Sequence, residues 1–304
     1  MKNQQVKTYL ALAAMYLIWG STYLGIAVAL ESLPPLLLAG GRFLAGSSVL
    51  FIIFKIRGVP FPSLLEWRNA AIVGILMLGT GVGAVTWAEQ WVASGLAAVT
   101  IATVPLWALI FSMIWKERPT RYEWLALLVG FMGVLLLNME GNLRGNPLAA
   151  GVLILAAASW ALGSNLSKHL KLPEGGMGFA AEMLMGGTFL VLAGLIRGEN
   201  LSEAITTRSL LAWVYLVVFG SLIAFSSYMY LLKTTRVSIA TSYAYVNPVV
   251  ALLLGIVVAD EPITYLGIFA TFVIAGSVLI LSYARHKTQP ESQPAAAVSA
   301  LEAE

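Results

Sequence analysis

Ten stretches of this chain are apolar over about 20 residues, the length a helix needs to cross a bilayer. They run over residues 8–30, 33–55, 69–89, 94–115, 122–139, 147–168, 177–196, 209–232, 237–259 and 263–284. Hydrocarbon offers no water to backbone N–H and C=O groups, so each segment must pair them internally as a helix. The chain is therefore expected to be an all-α integral membrane protein with ten transmembrane helices. Composition points the same way, with 59% apolar and 11% charged residues. Soluble domains average roughly 45–50% and 25%. The first stretch is too long for the apolar core of a signal peptide, and no small-residue cleavage site follows it. Residues 286–304 are rich in Ala, Pro, Gln, Ser and Glu, which predicts a disordered tail.

The scarce residues remove whole classes of chemistry. The chain has no Cys, one Asp (Asp260) and two His (His169 and His286). It therefore carries no disulfide, thiolate nucleophile or zinc–cysteine site. An aspartate-rich magnesium site or an intramembrane protease cannot be built from this set. No GxxxxGK[ST] loop is present to cradle ATP. No metal and no cofactor is implied, and an enzyme is not expected. The basic residues sit in short loops rather than on one face or arm, which argues against a nucleic-acid partner.

Those loops carry an orientation signal. With the N-terminus in the cytoplasm, fourteen Lys and Arg fall in cytoplasmic segments and three (Arg144, Arg197 and Arg208) on the far side. Such a bias predicts cytoplasmic N- and C-termini and an even number of spans. Only Arg42 lies within a span.

The two halves also match. Trp19 recurs as Trp160 and Gly79 as Gly220, both 141 positions later. Pro105 and Pro248, Pro119 and Pro262, Tyr122 and Tyr265, and Gly133 and Gly276 are each 143 apart. The change of offset falls in a loop, where insertions are tolerated. This predicts two five-helix repeats, residues 8–139 and 147–284. Five spans is an odd number, so the repeats must cross the membrane in opposite senses. The Lys116–Arg121 loop carries three basic residues, whereas its mate, 259–264, carries two acids and no base. Inverted repeats predict alternating access around a site near mid-membrane, where the halves meet.

The stretches Ile18-Trp-Gly-Ser-Thr-Tyr23, Arg42-Phe-Leu, Ala102-Thr-Val-Pro105 and Ala240-Thr-Ser-Tyr-Ala-Tyr-Val-Asn-Pro248, followed by Asp260-Glu-Pro262, are telling. Together they resemble the drug/metabolite transporter superfamily in its ten-span EamA branch, close to its inner-membrane members. The resemblance covers about residues 8–284. It implies a secondary transporter of the bacterial inner membrane, often an exporter of amino acids or related small metabolites. The partners are then a small-molecule substrate and the lipid bilayer, with protons left open as coupling ions. A channel-like or scramblase-like protein, or an exporter of drugs or other metabolites, is the alternative. Faces rich in small residues are compatible with a homodimer.

Candidate site residues follow from the cost of polarity at mid-bilayer. A charged side chain there costs about 2.5–3.5 kcal/mol on insertion scales, so it persists where it pairs or meets water. Arg42 and Glu182 occupy matched positions in the second and seventh spans, and together would suit the two ends of a zwitterion. Glu182 is also the candidate coupling group. Asn165 and Asn247 offer amides. Trp19, Tyr23, Trp160, Tyr228, Tyr230, Tyr243 and Tyr245 place aromatic rings at depths where an interfacial anchor has no use. Ser21 and Thr22 offer hydroxyls, against a competing reading as bonds to their own preceding turn. Pro248, beside Asn247, is expected to break its span and free a carbonyl. Pro248 and its mate Pro105 are the candidate hinges. Glu89 and Gln90, between Trp87 and Trp91, read as an interfacial helix end in an aromatic belt, with a place at the outer mouth of a cavity as the other reading. His169, beside Lys168 and Lys171, reads as a positive-inside anchor.

Overall fold

The structure is a computed structural model that describes residues 2–92, 94–138, 147–201, 204–259 and 265–288. Among the described residues the chain is helical, with no strand. It forms ten helical segments. Helix α1 is Lys2–Ala29 and α2 is Pro35–Ile56. Helix α3 joins Leu64–Gly74, Ile75–Val82 and Gly83–Ala88. Helix α4 joins Ser94–Ile101, Val104–Ser112 and a last turn Met113–Trp115. Helices α5, α6 and α7 are Arg121–Asn138, Pro147–His169 and Gly176–Ile196. Helix α8 joins Thr207–Tyr215, Leu216–Phe225 and Ser226–Thr234. Helix α9 joins Val237–Ala240 and Tyr243–Ala259, and α10 is Tyr265–Thr288.

The all-helical, multi-span architecture is the one expected, with two local corrections at the termini. Helix α1 begins at Lys2, because the polar Lys2–Lys7 turn is made of good helix formers. Helix α10 runs on to Thr288, past the predicted start of the tail at 286. Residues 289–304 and the Asp260–Pro262 loop lie outside the described residues.

Local chemistry sets the helix ends. Ser63 and Glu66 form a capping box at the start of α3. Thr120 and Glu123 do the same at α5, with the Thr120 N–H donating to Glu123 Oε2 at 2.8 Å and the Glu123 N–H to Thr120 Oγ1 at 3.2 Å. Pro35 opens α2, where a missing N–H costs nothing. The carboxylate of Glu199 accepts from the backbone N–H of Leu36 and Leu37 at 3.0 and 2.9 Å. This satisfies two orphan donors of α2 from the loop after α7.

Packing follows the matched halves. Helix α2 lies along α7, and α5 along α10. Helix α1 packs on α8 and α9, and its counterpart α6 packs on α3 and α4. One buried apolar cluster runs through the middle and includes Met15, Trp19, Met77, Trp160, Phe225 and Tyr228. The outer surface is apolar as well: Ile56, Leu64, Ile196 and Phe272 are all exposed by more than 70%. In water such a surface would aggregate, whereas lipid is its natural solvent.

One feature is not legible in the hydropathy pattern. Ile75–Val82 in α3 and Leu216–Phe225 in α8 are wound as π-helix. At an offset of 141 the two stretches superpose, and they contain Gly79 and Gly220. Such winding is rare and concentrates at functional sites.

Candidate functional site

A cavity of about 70 Å³ opens where α1, α2, α3, α4, α6 and α9 meet. By volume it holds several ordered waters. Its walls are Trp19, Thr22, Tyr23 and Ile26 from α1, Arg42 from α2, and Gly81, Val82 and Val85 from α3. Ile101 and Val104 come from α4, Ala156 and Trp160 from α6, and Tyr243 and Asn247 from α9. Seven residues singled out in the sequence therefore share one cavity: Trp19, Thr22, Tyr23, Arg42, Trp160, Tyr243 and Asn247.

Two kinds of wall can be told apart. One is aromatic. The rings of Trp19 and Trp160 meet edge to face with centroids 5.4 Å apart, and Tyr243 stands 4.6 Å from Trp19. Tyr228 lies behind them at 5.1 Å from Trp19 and 5.4 Å from Trp160. Hydrogen bonds fix this cluster. Trp19 Nε1 donates to the Gly220 carbonyl at 3.2 Å, and Trp160 Nε1 to the Tyr228 hydroxyl at 3.1 Å. Tyr228 also bonds Ser164 at 2.7 Å. The mates Trp19 and Trp160 each press on a π-helical stretch, but only Trp19 bonds to its backbone. At Gly81 a Cβ would stand 3.0 Å from the Trp160 ring, so glycine lets the indole pack closely on α3.

The other wall is polar and incomplete. Arg42 is 3% exposed. Its Nε donates to Ser221 Oγ at 2.9 Å, and its guanidinium carbon lies 4.9 Å from the centre of the Phe43 ring. Arg42 Nη1 has no hydrogen-bond partner, and neither has Asn247 Oδ1. The Asn247 amide meets the Tyr23 hydroxyl. A buried polar atom left unpaired costs about 1–3 kcal/mol, more when charged. An unpaired donor and an unpaired acceptor facing one cavity mark a place for a polar ligand.

The remaining candidates sit elsewhere. Ser21 bonds the Tyr215 hydroxyl and donates to the Ile18 carbonyl, so it ties α1 to α8. Asn165 donates to the Ala108 and Ala161 carbonyls at 3.1 and 3.0 Å and joins α6 to α4. Tyr245 packs with Ala102 and Ile274. Glu182 is fully buried against α3, with neither carboxylate oxygen bonded. It is not a wall of the cavity and does not meet Arg42. The nearby charge is Lys233. Depth along a helix was readable from the sequence, but the side of the helix was not.

The helix breaks also differ from expectation. Helix α9 is interrupted at Thr241–Ser242, and its main piece runs straight through Pro248. Pro248 is the sixth residue of that piece, so it removes one backbone bond, the one to Ala244, next to a helix start that already lacks partners. Pro105 is the second residue of Val104–Ser112, after a break at Ala102–Thr103, where proline costs nothing. Each proline thus lies just past a break rather than at it.

Two residues, Ser221 and Glu89, carry more than the sequence suggested. Ser221 aims Arg42. Both carboxylate oxygens of Glu89 are buried and unbonded, and its charged neighbour is Arg42. The neighbouring residues Trp87, Gln90 and Trp91 line a wider vestibule of about 520 Å³, along with Arg197 and Glu199. At the opposite end, Glu123 pairs with Arg236 at 3.0 Å, and Lys168 donates to the Thr235 carbonyl at 3.0 Å. His169 stacks on Trp115 there at 4.4 Å.

The model of the EamA-like transporter family matches this chain twice, over residues 6–139 and 147–283. The inner membrane transporter YedA of Escherichia coli strain K12 is 43% identical over 285 residues, 93% of each chain. The transporter YoaV of Bacillus subtilis is 26% identical over 85% of this chain and 91% of its own. The protein PecM of Dickeya dadantii is 25% identical over 91% and 94%. A solved crystal structure has the same fold at a TM-score of 0.75 and 19% identity, covering 93% of this chain and 99% of that one. With its helices, its apolar exterior and these relatives, the chain is a multi-pass membrane transporter and belongs to the EamA-like transporter family.

Proposed function

We propose that the protein is a secondary active exporter of small carboxylate-bearing metabolites, amino acids foremost, that works by alternating access in the bacterial inner membrane. The observation that carries this reading is the pair of unpaired atoms, Arg42 Nη1 and Asn247 Oδ1, on two residues that line one aromatic cavity. An arginine matches the planar geometry of a carboxylate through two N–H groups. The rings of Trp19, Trp160 and Tyr243 supply an apolar face for the rest of the substrate.

The two halves are read as inverted repeats, with both termini cytoplasmic, as the Lys and Arg bias requires. On that orientation the vestibule near Trp87 is periplasmic and the Glu123–Arg236 pair lies at the cytoplasmic end. The aromatic cluster is then the floor that separates the cavity from the cytoplasm. Access alternates as the halves exchange conformations, and the breaks at Ala102–Thr103 and Thr241–Ser242, with Pro105 and Pro248 just past them, are the proposed hinges. Glu182, an unpartnered buried carboxylate facing Lys233, is the proposed proton-coupling group. Association of two copies through small-residue faces belongs to the same proposal.

Counterflow in proteoliposomes tests the reading, across labelled amino acids, other metabolites and drugs. Saturable exchange of a carboxylate-bearing compound is the expected result. Non-saturable flux without counterflow would make the protein a channel or scramblase. Exchange confined to compounds without a carboxylate would remove Arg42 from substrate binding. Glu182→Gln should keep exchange and lose pH-driven uptake. Unchanged pH-driven uptake would remove it as the coupling group.

A further inference from the structure

Glu89 ends α3 between Val85, which lines the cavity, and Trp87, Gln90 and Trp91, which line the vestibule, and is itself a wall of neither. Its N–H closes the last helical turn on the Val85 carbonyl at 3.0 Å. Trp87 and Trp91 pack edge to face at 4.4 Å on either side of it. Gln90 turns outward and donates to the Trp87 carbonyl at 2.9 Å, whereas Glu89 sends its carboxylate inward. Both oxygens are buried and without a hydrogen-bond partner.

The groups that face this carboxylate are few. Arg42 comes from α2, and the Tyr23 hydroxyl from α1. Arg197, from the loop after α7, lies over the Trp87 ring at 5.4 Å, two residues away. Arg42 and Glu89 act on each other electrostatically, yet no ion pair within 4.0 Å joins Arg42 to a carboxylate among the described residues. Opposite charges buried near one another without contact pay the cost of leaving water and gain little in return. Each also keeps open hydrogen-bonding capacity: Nη1 on Arg42 and both oxygens on Glu89. A molecule with a carboxylate at one end and an ammonium at the other would satisfy both at once.

We infer that Glu89 is the specificity-determining residue for an amine on the substrate, taking the ammonium of a zwitterion while Arg42 takes its carboxylate. This rests on the reading of the cavity as a carboxylate site. Arg42 alone would accept any monocarboxylate of suitable size. Glu89 makes a plain carboxylate a poor ligand, because it leaves one buried acid unpaired.

The test uses purified full-length protein in proteoliposomes. Counterflow of labelled L-phenylalanine, or of whichever amino acid exchanges best, is competed with its deamino acid (3-phenylpropionate for phenylalanine). Wild type should prefer the amino acid by roughly tenfold or more, as expected for one charge-assisted contact. Glu89→Gln should abolish or invert that preference. Glu89→Asp, which keeps the charge but draws it back by one methylene, should give an intermediate ratio. Size-exclusion profiles and melting curves establish that each variant is folded, and if Glu89→Gln is not, Glu89→Asp decides.

An unchanged preference in the folded variant overturns the inference and leaves the carboxylate-carrier reading standing. Wild-type exchange of the deamino acid without the amino acid does the same. If wild type exchanges neither, the carboxylate reading falls, and the role of Glu89 falls with it.

Discussion

Arg42 donates from Nε to the Ser221 hydroxyl at 2.9 Å, across the contact between α2 and α8. That single bond sets which way the other guanidinium N–H groups point. Ser221 lies in the π-helical stretch of α8, so the winding of one helix aims the cation of another. Ser221→Ala would leave a buried charged donor unpaired, at a cost of about 1.5–3 kcal/mol. The expected outcome is a KM roughly 10–100-fold higher for the exchanged carboxylate. Counterflow at graded concentrations measures it.

Gly220 tests the same geometry from the backbone. A methyl group there would stand 3.0 Å from Arg42 Nη2 and 3.2 Å from Thr22 Cγ2. Gly220→Ala is expected to displace the guanidinium and raise KM about tenfold, which corresponds to about 1.4 kcal/mol. The melting temperature should stay within a few degrees of wild type, since the obstructed atom is the far end of a flexible side chain.

Asn165 separates helix glue from substrate contact. Its two hydrogen bonds go to the backbone carbonyls of Ala108 and Ala161, and it is not a wall of the cavity. Asn165→Ala is expected to lower stability by about 1–2 kcal/mol, read as a lower melting temperature, with KM unchanged. A rise in KM without loss of stability would return Asn165 to the site.

Gly74 probes how tightly α3 and α7 are packed. A Cβ at this position would fall 2.3 Å from the Glu182 carbonyl oxygen, and backbone cannot yield as a side chain does. Gly74→Ala is expected to cost at least the 1–3 kcal/mol usual for overpacking. Loss of folded protein on size-exclusion chromatography, or a clear drop in melting temperature, is the readout.

Hydropathy and residue identity made much of this readable in advance. Spans reveal themselves because the bilayer demands a fixed apolar length. The matched glycines Gly79 and Gly220 fall in the two π-helical stretches, but as a pair they signalled only the repeat. The winding itself was invisible, because it depends on which helix presses against it. The same limit explains Glu182. Hydropathy gives depth in the membrane, but α7, the helix of Glu182, is apolar almost all round, so no hydrophobic stripe reveals which face turns to the cavity. Glu89 was obscured for the opposite reason. Flanking tryptophans resemble an interfacial belt, and only the fold shows the carboxylate turning inward toward Arg42. Pro248 was read by its local effect, whereas the actual break falls at Thr241–Ser242.

The account stands on Arg42 holding a substrate carboxylate inside a carrier. Saturable counterflow with wild type beside Arg42→Gln tests this most directly, with Asn165→Ala as a variant outside the cavity. The predicted result is exchange by wild type and Asn165→Ala with the same KM, and exchange lowered at least tenfold in a folded Arg42→Gln. Equal exchange by Arg42→Gln and wild type, at the same KM, would contradict it.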